Sequence, residues 1–382
     1  MLEKALTGNQ RYWSWMFILL AIIGVGFICY LKQFQEGLGI TGMSRDVSWG
    51  LYISQFTFLV GVAASAVMVV LPYYLHNYKV FGKVTILGEF LAIASVLMCG
   101  LFIFVDMGQP TRILNILLHP TPNSVIFWDV IVLNGYLFLN LLIGWTVLGA
   151  EHKGVAPPAW VKPFIYLSIP WAVSIHTVTA FLYAGLPGRH FWLTAIMAAR
   201  FLASAFASGP ALLIILCLLV RKYTKFDPGK EAVQGLGKIV TYAMIANVFF
   251  LGLELFTAFY SNIPGHMHSF EYLYAGLDGY GRLIPLMWTS ALLAVLSLVL
   301  LINPGTRNNE RTLAVACGTV FISLWIDKGF GLVVGGFVPN PLERVTEYWP
   351  TLPESLISLG IWAIGFLTLT ALYKIAVSVK SY

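Results

Sequence analysis

Ten long apolar stretches constrain this chain more than any other feature of its sequence. Each holds about 20 or more mostly apolar residues, the length that an α-helix needs to cross the hydrocarbon core of a bilayer. The stretches lie near residues 12–31, 50–75, 84–105, 125–149, 162–183, 193–220, 239–260, 283–302, 311–334 and 355–378. The alternating pattern of an outer-membrane β-barrel is not seen. We therefore predict an all-α, polytopic membrane protein with ten transmembrane helices.

The composition agrees with this class. Hydrophobic residues make up 58% of the chain and charged residues only 10%, whereas a soluble domain is usually about a quarter charged. The segment before the first apolar stretch is short, and no small-residue cleavage site follows that stretch. We therefore expect the first helix to be retained and not removed as a signal peptide.

Basic residues are distributed unequally between the two sets of connecting loops. The set that includes both termini holds 15 Lys and Arg residues, and the opposite set holds six. Because basic residues favour the cytoplasmic side, we expect both termini in the cytoplasm and the protein in the inner (cytoplasmic) membrane. This distribution also accounts for the formal net charge of +6 without a nucleic-acid partner.

The longer loops on the predicted outer side are rich in Gly, Pro and aromatic residues. The stretch GFVPNPLERVTEYWPTLPE (336–354) contains four prolines, so we expect it to be rigid. An ordered outer loop can be a docking surface for a partner or a lid over the helix ends, and the sequence leaves both interpretations open. Small residues within helices, as in GVAASA (61–66) and ASAFASG (203–209), predict close helix packing.

Ligands for metal or haem are scarce in the apolar stretches. The cysteines lie singly in four helices and form no CxxC motif, so neither an iron–sulfur ligand set nor a c-type haem attachment is indicated. Only one of the seven histidines, His176, lies well inside a predicted helix. A membrane haem b normally takes two axial histidines. We therefore expect no haem and no iron–sulfur cluster in this chain.

Polar residues inside the predicted helices concentrate at one depth. At about 1.5 Å per residue, His176 lies roughly 21 Å from the inner end of its helix, in the outer third of the membrane. The polar residues that we place near this depth are Tyr52, Gln55, Asp106, Asp129, His176, Arg200, Glu254 and Asp327. Because ionisable residues in a bilayer are costly and often functional, they predict a polar pocket that opens toward the outer face.

Five of these residues also have a purely structural interpretation. Asp327 could form an ion pair with Lys328, and Arg200 could only neutralise a neighbouring acid. Glu254 and His176 could be hydrogen-bonded groups of the helix bundle, and Tyr52 could belong to the aromatic belt at the membrane interface.

The chemistry of the predicted pocket suits a quinone. A quinone has an apolar tail that can enter from lipid, its two carbonyls need hydrogen-bond donors, and its reduction takes two protons. A histidine with nearby carboxylates can supply both donors and protons. The alternatives are a proton- or ion-coupled transporter, although no inverted repeat is visible, and a structural membrane anchor, which would not need so many buried charges.

Seven short motifs in order resemble a known family. They are SWGLYI (48–53), DMGQPTR (106–112), FWDV (127–130), SIHTV (174–178), LPGRH (186–190), WIDKG (325–329) and EYWPTLPE (347–354). The chain resembles the NrfD/polysulfide-reductase membrane subunits over nearly its whole length, in the branch with ten helices. Within that branch it is similar to the DsrP type, the quinone-reactive subunits of DsrMKJOP complexes of sulfur metabolism.

The resemblance implies one integral membrane domain over residues 1–382, built as two four-helix bundles with flanking helices and no prosthetic group. It implies an exchangeable menaquinone near the outer face, with Asp106 and His176 matching the family's quinone-site positions and Tyr52 to Gln55 contributing at the start of helix 2. It also implies partners: a ferredoxin-like iron–sulfur subunit on the outer loops, a multihaem c-type cytochrome, a second membrane subunit with haem b, and a cytoplasmic catalytic iron–sulfur subunit.

Proton movement across the membrane would need a path from the cytoplasmic side. Glu89 is the one ionisable residue that the sequence places deep in the inner half, and it lies about 25 Å along the helix axis from Asp106. A path from Glu89 would therefore need intermediates. We identify Asn134, Asn140 and Asn247 as candidate intermediates and Asp129, Glu254 and Asp327 as candidates for the outer end.

Overall fold

The structure is a computed structural model, and it describes residues 2–380. Ten helices in it are long and apolar enough to cross a membrane. They are α1 (Gln10–Glu36), α2 (Leu51–Leu75), α3 (Thr85–Asp106), α4 (Val125–His152), α5 (Lys162–Ala184), α6 (Met197–Tyr223), α7 (Lys230–Tyr260), α8 (Ile284–Ile302), α9 (Glu310–Gly335) and α10 (Leu352–Lys380). The described part of the chain contains no β-strand, so the all-α prediction with ten helices is confirmed.

The helices pack as two four-helix bundles. The first bundle contains α2, α3, α4 and α5, and the second contains α6, α7, α8 and α9. The bundles meet where α2 and α5 pack against α6 and where α2 packs against α9. The helices α1 and α10 form a flanking pair, and α10 packs against α3. The predicted pair of bundles with flanking helices is therefore what the chain forms.

Small residues allow the closest helix contacts. A Cβ added at Gly209 of α6 would lie 2.8 Å from the Ser65 nitrogen of α2, and one added at Gly26 of α1 would lie 2.9 Å from the Gly360 Cα of α10. Neither position has room for a side chain. The close packing that the GVAASA and ASAFASG segments predict is confirmed.

Two of the core helices are irregular. The helix α2 is interrupted at Ala63 and Ala64, between the segments Leu51–Val62 and Ser65–Leu75. The helix α9 contains a π-helical segment, Trp325–Gly331. Such segments frequently occur at functional sites. The first segment of α2, Leu51–Val62, packs against the π-helical segment of α9.

The bounds of several helices differ from those read off the sequence. The helix α7 begins at Lys230, nine residues before the predicted start at 239. Its first turns are amphipathic, with Val233 and Leu236 buried and polar residues between them, and this mixture hides them from a search for apolar stretches. A further short helix, Pro264–Tyr274, lies in a loop where no helix was predicted.

The two ends of the molecule are distinct. Lys374 of α10 lies over the ring of Tyr12, 3.3 Å from its centroid, which places both chain termini at one end. We call this the basic end; it also holds the loops 76–84, 153–158, 224–229 and 303–309. The opposite, loop-rich end holds the loops 37–50, 107–124, 185–196, 261–283 and 336–351. That the basic end faces the cytoplasm stays a prediction.

Candidate functional site

The start of α2 joins α1 and α3 through a pair of polar side chains. The Tyr52 hydroxyl donates to Gln33 Oε1 at 2.6 Å, and Gln33 Nε2 donates to the Val105 carbonyl at 2.6 Å. Both side chains are buried. Tyr52 therefore lies next to the end of α3, where Asp106 follows Val105 and is close enough to interact with it electrostatically.

A cleft of about 90 Å³ opens beside this pair at the loop-rich end. It is lined by Tyr30, Gln33, Phe34, Gly37 and Leu38 of the α1 end and by Met107, Gly108, Gln109, Pro110 and Thr111 after α3. Two buried oxygens at this place have no hydrogen-bond partner among residues 2–380: Tyr30 Oη and Asp106 Oδ1. The cleft thus has apolar walls, and two polar atoms without a hydrogen-bond partner in the described chain lie beside it.

Glu354 organises the chain around the start of α2. Its carboxylate accepts from the Leu51 nitrogen at 3.2 Å, from the Gly42 nitrogen at 3.0 Å and from the Tyr348 hydroxyl. Negative charge at a helix N-terminus is favourable, and Thr351 and Glu354 also exchange the contacts of a capping box at the start of α10. Burial and the charge of Glu354 together raise the pKa of Tyr348, which keeps that hydroxyl protonated as a donor.

Gln55 lies one turn after Tyr52 but has a different role. Its Oε1 accepts from Trp325 Nε1 at 2.8 Å and from Trp362 Nε1 at 2.9 Å. The contact joins α2 to the π-helical segment of α9 and to α10. Gln55 therefore links three helices through hydrogen bonds and does not line the cleft.

His176 lies on a fully buried face of α5. His176, Thr179 and Tyr183 share this face at helical spacing, and each is 0% exposed. Thr179 donates to Asp129 Oδ1 of α4 at 2.7 Å, and Tyr183 contacts the Thr57 hydroxyl of α2. Both ring nitrogens of His176, in contrast, have no hydrogen-bond partner in the described chain.

Glu254 and Asp327 belong to an ionic cluster of the second bundle. Arg200 of α6 binds Asp327 in a bidentate manner, at 3.1 Å and 3.0 Å, and binds Glu254 Oε2 through its other amino group. Arg200 thus neutralises two acids, as its structural interpretation proposed. Glu254 Oε1 is buried without a partner within residues 2–380.

The suggested ion pair between Asp327 and Lys328 is wrong, because Asp327 forms its ion pair with Arg200. Lys328 points instead toward the junction of the bundles. Its ammonium donates to the Phe201 carbonyl at 3.4 Å and lies 4.3 Å from the centroid of the Phe201 ring. A Cβ added at Gly61 of α2 would lie 3.1 Å from Lys328 Nζ. Lys328 is therefore a buried lysine of α9 that contacts both α2 and α6.

Glu89 lies in the half of α3 that is nearer the basic end. Its carboxylate packs against α4, where a Cβ added at Gly144 would lie 3.2 Å from Glu89 Oε2. One face of α4 carries Tyr136, Asn140 and Gly144 at i, i+4 and i+8. Tyr136 Oη donates to the Ala63 carbonyl at 3.4 Å, at the interruption of α2. This face runs from Glu89 to the centre of the molecule.

The polar residues that the sequence places at one depth thus form separate groups. Asp106 and Tyr52 lie together beside the cleft. Asp129 joins α4 to α5 near His176, while Glu254 and Asp327 meet in the second bundle. No hydrogen bond joins these three groups among the described residues. The single shared pocket predicted from the sequence is therefore divided among different helix pairs.

Sequence reasoning missed Gln33, Tyr30 and Glu354. In the structure, the buried residues of α1 are Leu19, Gly26 and Gln33, spaced by seven. That spacing places Gln33 on the packed face of a helix that otherwise faces lipid. Glu354 closes the EYWPTLPE motif, and the T-x-x-E pattern within it predicts a helix start. Tyr30 gave no signal.

The Pro-rich loop (336–351) is anchored to neighbouring loops by several hydrogen bonds. Asp46 accepts from Asn340 Nδ2 at 3.2 Å and from the Thr346 hydroxyl at 3.0 Å, and these hydrogen bonds, that of Thr346 first, lower the pKa of Asp46. Glu347 accepts from two backbone nitrogens of the 261–283 loop, those of Gly281 and Arg282. The loop therefore covers the helix ends as a lid and presents a rigid outer surface, so both sequence interpretations remain compatible.

No group of three or more His, Cys, Asp or Glu residues that could hold a metal occurs within residues 2–380. All four cysteines are free. The expectation that the chain carries neither haem nor a cluster stays a prediction.

Comparison with known proteins gives the family. The model of the polysulphide reductase NrfD family matches residues 39–338. The chain is 26% identical to a putative dimethyl sulfoxide reductase membrane subunit of Halobacterium salinarum, with 94% of this chain and 90% of that protein aligned. It is 23% identical to a selenate reductase subunit of Mesobacillus selenatarsenatis (92% and 91% aligned).

A third relative is the Hdr-like menaquinol oxidoreductase integral membrane subunit of Archaeoglobus fulgidus, which is 22% identical over 95% of this chain and 93% of its own length. Each of the three alignments covers at least 92% of this chain. The motifs from SWGLYI to WIDKG also lie within the span of the family model. The chain belongs to the polysulphide reductase NrfD family.

Proposed function

We propose that this protein is the quinone-reactive membrane subunit of an oxidoreductase complex, with its site in the cleft between α1 and the end of α3. The observation that carries the proposal is the pair of buried, unpartnered oxygens beside that cleft, Asp106 Oδ1 and Tyr30 Oη. A relative named as a menaquinol oxidoreductase subunit supports menaquinone as the substrate.

The residues present fit a quinone headgroup. The two carbonyls of a quinone require hydrogen-bond donors, and a tyrosine hydroxyl and a protonated carboxyl are both donors. The wall of the cleft next to Asp106 includes Met107, which suits an apolar ring system. When bound, the quinone supplies two-electron, two-proton redox chemistry.

Each residue at the cleft has a distinct part in this proposal. Asp106 accepts or donates the substrate proton at Oδ1, and Tyr30 orients the headgroup through Oη. The Tyr52 hydroxyl and the Gln33 amide bind each other, and Gln33 also binds the Val105 carbonyl. They hold α1 against α3 and so fix the width of the cleft. His176, with two unpartnered nitrogens, is the deeper hydrogen-bond donor of the same bundle.

Electrons must leave this chain to a partner if it holds no redox centre of its own. The rigid lid at the loop-rich end supports an iron–sulfur subunit as that partner, on the outer side of the inner membrane. The resemblance to the DsrP type extends the proposal to a sulfur-metabolism complex, with a multihaem c-type cytochrome, a haem b membrane subunit and a cytoplasmic catalytic iron–sulfur subunit. The relatives' names as reductase subunits support such a multisubunit setting.

The proposal includes a proton path from the basic end. Glu89 is its entry, and the face of α4 with Asn140 and Tyr136 leads from it to the Ala63 carbonyl at the interruption of α2. Lys328 lies on the other side of α2, beside Gly61, and the cluster of Asp327, Arg200 and Glu254 follows. Interruptions of helices free backbone groups that can bind water inside a membrane protein, which supports passage at this point. Asn134 and Asn247 are not needed for this route, and Asp129 lies off it.

The test uses the intact complex in membranes and a menaquinol analogue. We expect Asp106→Asn to lower kcat/KM by roughly 100-fold, because a carboxamide cannot transfer the proton. Tyr30→Phe should lower kcat/KM about tenfold, because one hydrogen bond to the substrate is lost. The matched control is Tyr272→Phe, which removes another buried hydroxyl without a partner in the described chain, far from the cleft.

The proposed site is wrong if Asp106→Asn and Tyr30→Phe both keep the parental rate in folded complexes. An uptake of ions or protons by the reconstituted protein that needs no quinol would instead favour the transporter alternative.

A further inference from the structure

A short segment after α3 exposes an unusual run of apolar side chains at the loop-rich end. It contains a turn at Pro110–Arg112 and a one-turn helix at Asn115–Leu118. Four side chains between 113 and 118 are exposed by 37% to 68%: Ile113, Leu114, Leu117 and Leu118. Apolar side chains clustered in this way are unfavourable in water and indicate an apolar environment.

The end of α1 exposes apolar side chains on the other side of the cleft. Leu31 is 45% exposed and Phe34 is 56% exposed. The helix α1 packs along α10 but does not pack extensively along α3 within the described chain. Gln33 makes the hydrogen bond that links the two helices here, and the rings of Tyr30 and Phe104 lie 5.8 Å apart. The seam between α1 and α3 is therefore loosely packed beside the cleft.

The cleft is continuous with the lipid-facing surface of α1. Phe34 and Leu38 form one wall, and Met107 and Pro110 form the facing wall. An apolar chain lying between these walls would cover Phe34 and pass over the exposed leucines. Tyr30 lines the cleft and Asp106 directly precedes its lining residue Met107, so the two unpartnered oxygens lie beside it.

The change from apolar walls to polar oxygens along the cleft determines which apolar chain can bind in it. A phospholipid acyl chain would place methylene groups against the two polar oxygens and leave them unsatisfied, which is unfavourable. A quinone places its polar headgroup at these oxygens and its tail along the apolar walls.

We propose that the seam between the α1 end (Tyr30–Leu38) and the 107–118 segment is a lateral portal that binds the polyprenyl tail of the quinone. This rests on the proposed function, because it assigns the tail to a place beside the proposed headgroup site. The portal lets the substrate reach the cleft from the bilayer without passing through the aqueous loops.

Photolabelling tests the portal independently of turnover. The probe is a menaquinone analogue with a diazirine on the first isoprene unit, added to the intact complex in membranes. We expect the labelled peptides to come from residues 30–38 and 107–118, and an excess of unlabelled long-chain menaquinone to prevent labelling. Labelling of other helices only, or competition by a phospholipid as strong as that by menaquinone, would overturn the proposal.

A kinetic comparison adds a matched pair of variants. Phe34→Gln places a polar group in the portal, and Phe27→Gln makes the same change two turns away on the same face of α1, where Phe27 is 57% exposed. For Phe34→Gln we expect KM to rise about tenfold with a long-tailed quinol, because apolar contacts with the tail are lost. KM for a tail-less quinol should stay within about twofold, and Phe27→Gln should change neither.

The outcomes separate the two proposals. If the parental complex oxidises neither quinol, the proposed function fails. If it oxidises both and Phe34→Gln affects the two quinols equally or not at all, the function stands and the portal is overturned.

Discussion

The two helix bundles differ in how they pair their buried acidic groups. In the second bundle, one guanidinium binds two carboxylates, with Arg200 bound to Asp327 and Glu254, and only Glu254 Oε1 of these four carboxylate oxygens lacks a partner in the described chain. At the first bundle, Asp106 and Tyr30 keep oxygens unpartnered within residues 2–380, beside an open cleft. A paired cluster mainly holds helices together, whereas free polar atoms beside a cleft can bind a substrate. The comparison teaches that buried charge alone does not identify a site.

The largest effect that the comparison predicts is on stability in the second bundle. Arg200→Met should lower the free energy of unfolding by about 3–5 kcal/mol, because two carboxylates lose their counterion in an apolar surrounding. Thermal unfolding of the purified protein, followed by tryptophan fluorescence, measures this effect. The control is Arg221→Met, since Arg221 binds Glu310 with both side chains about 30% exposed. Equal losses in the two variants would contradict a structural role for the Arg200 cluster.

The next effect concerns His176 and separates binding from stability within the first bundle. His176→Ala should lower quinone-linked electron transfer without unfolding the protein, because His176 is the proposed deeper hydrogen-bond donor and its ring has no internal hydrogen bond to lose. Thr179→Val, one turn away, should do the reverse. It removes the hydrogen bond to Asp129, which should cost about 1–3 kcal/mol and change electron transfer little. If His176→Ala exchanges electrons with a menaquinol analogue at the parental rate, His176 is structural.

A third prediction concerns the proposed proton path from the first bundle to the second. Glu89→Gln in vesicles that contain the whole complex should keep electron transfer but reduce proton movement, because the entry of the proposed path is lost. Glu151→Gln is the control, since Glu151 pairs with Lys380 at the basic end and is more exposed. Unchanged proton movement in Glu89→Gln removes that residue from any path. If the parental complex moves no protons, the fold serves electron transfer alone.

The smallest effect distinguishes the two residues that open α2. Gln55→Leu should lower the free energy of unfolding by about 1–3 kcal/mol, because two indole N–H groups lose their acceptor. Its kcat/KM for the quinol should stay within about twofold of the parental value. Tyr52→Phe should change KM more than Gln55→Leu does, since the Tyr52 hydroxyl positions Gln33 beside the cleft. A loss of kcat/KM larger than about twofold in Gln55→Leu would indicate that Gln55 belongs to the quinone site.

The sequence alone determined the membrane class, the number of helices and the family. Apolar stretches of about 20 residues leave the chain no other stable arrangement, because a helix satisfies its own backbone in a bilayer. The unequal distribution of basic residues fixed the expected orientation, and the ordered motifs indicated the family. The sequence also singled out Asp106 and Tyr52, because a polar group in an apolar stretch is conspicuous.

Only the tertiary structure decided which polar residues work together. Depth along a helix can be counted from the sequence, but the direction in which a side chain points around the helix depends on its neighbours. Tyr52 and Gln55 are one turn apart, yet one contacts α1 and the other contacts α9 and α10. Asp327 and Lys328 are adjacent, yet the π-helical segment turns one toward Arg200 and the other toward Phe201. Contacts between distant parts of the chain, such as those of Glu354 with Gly42 and Leu51, are set by packing, and no local pattern records them.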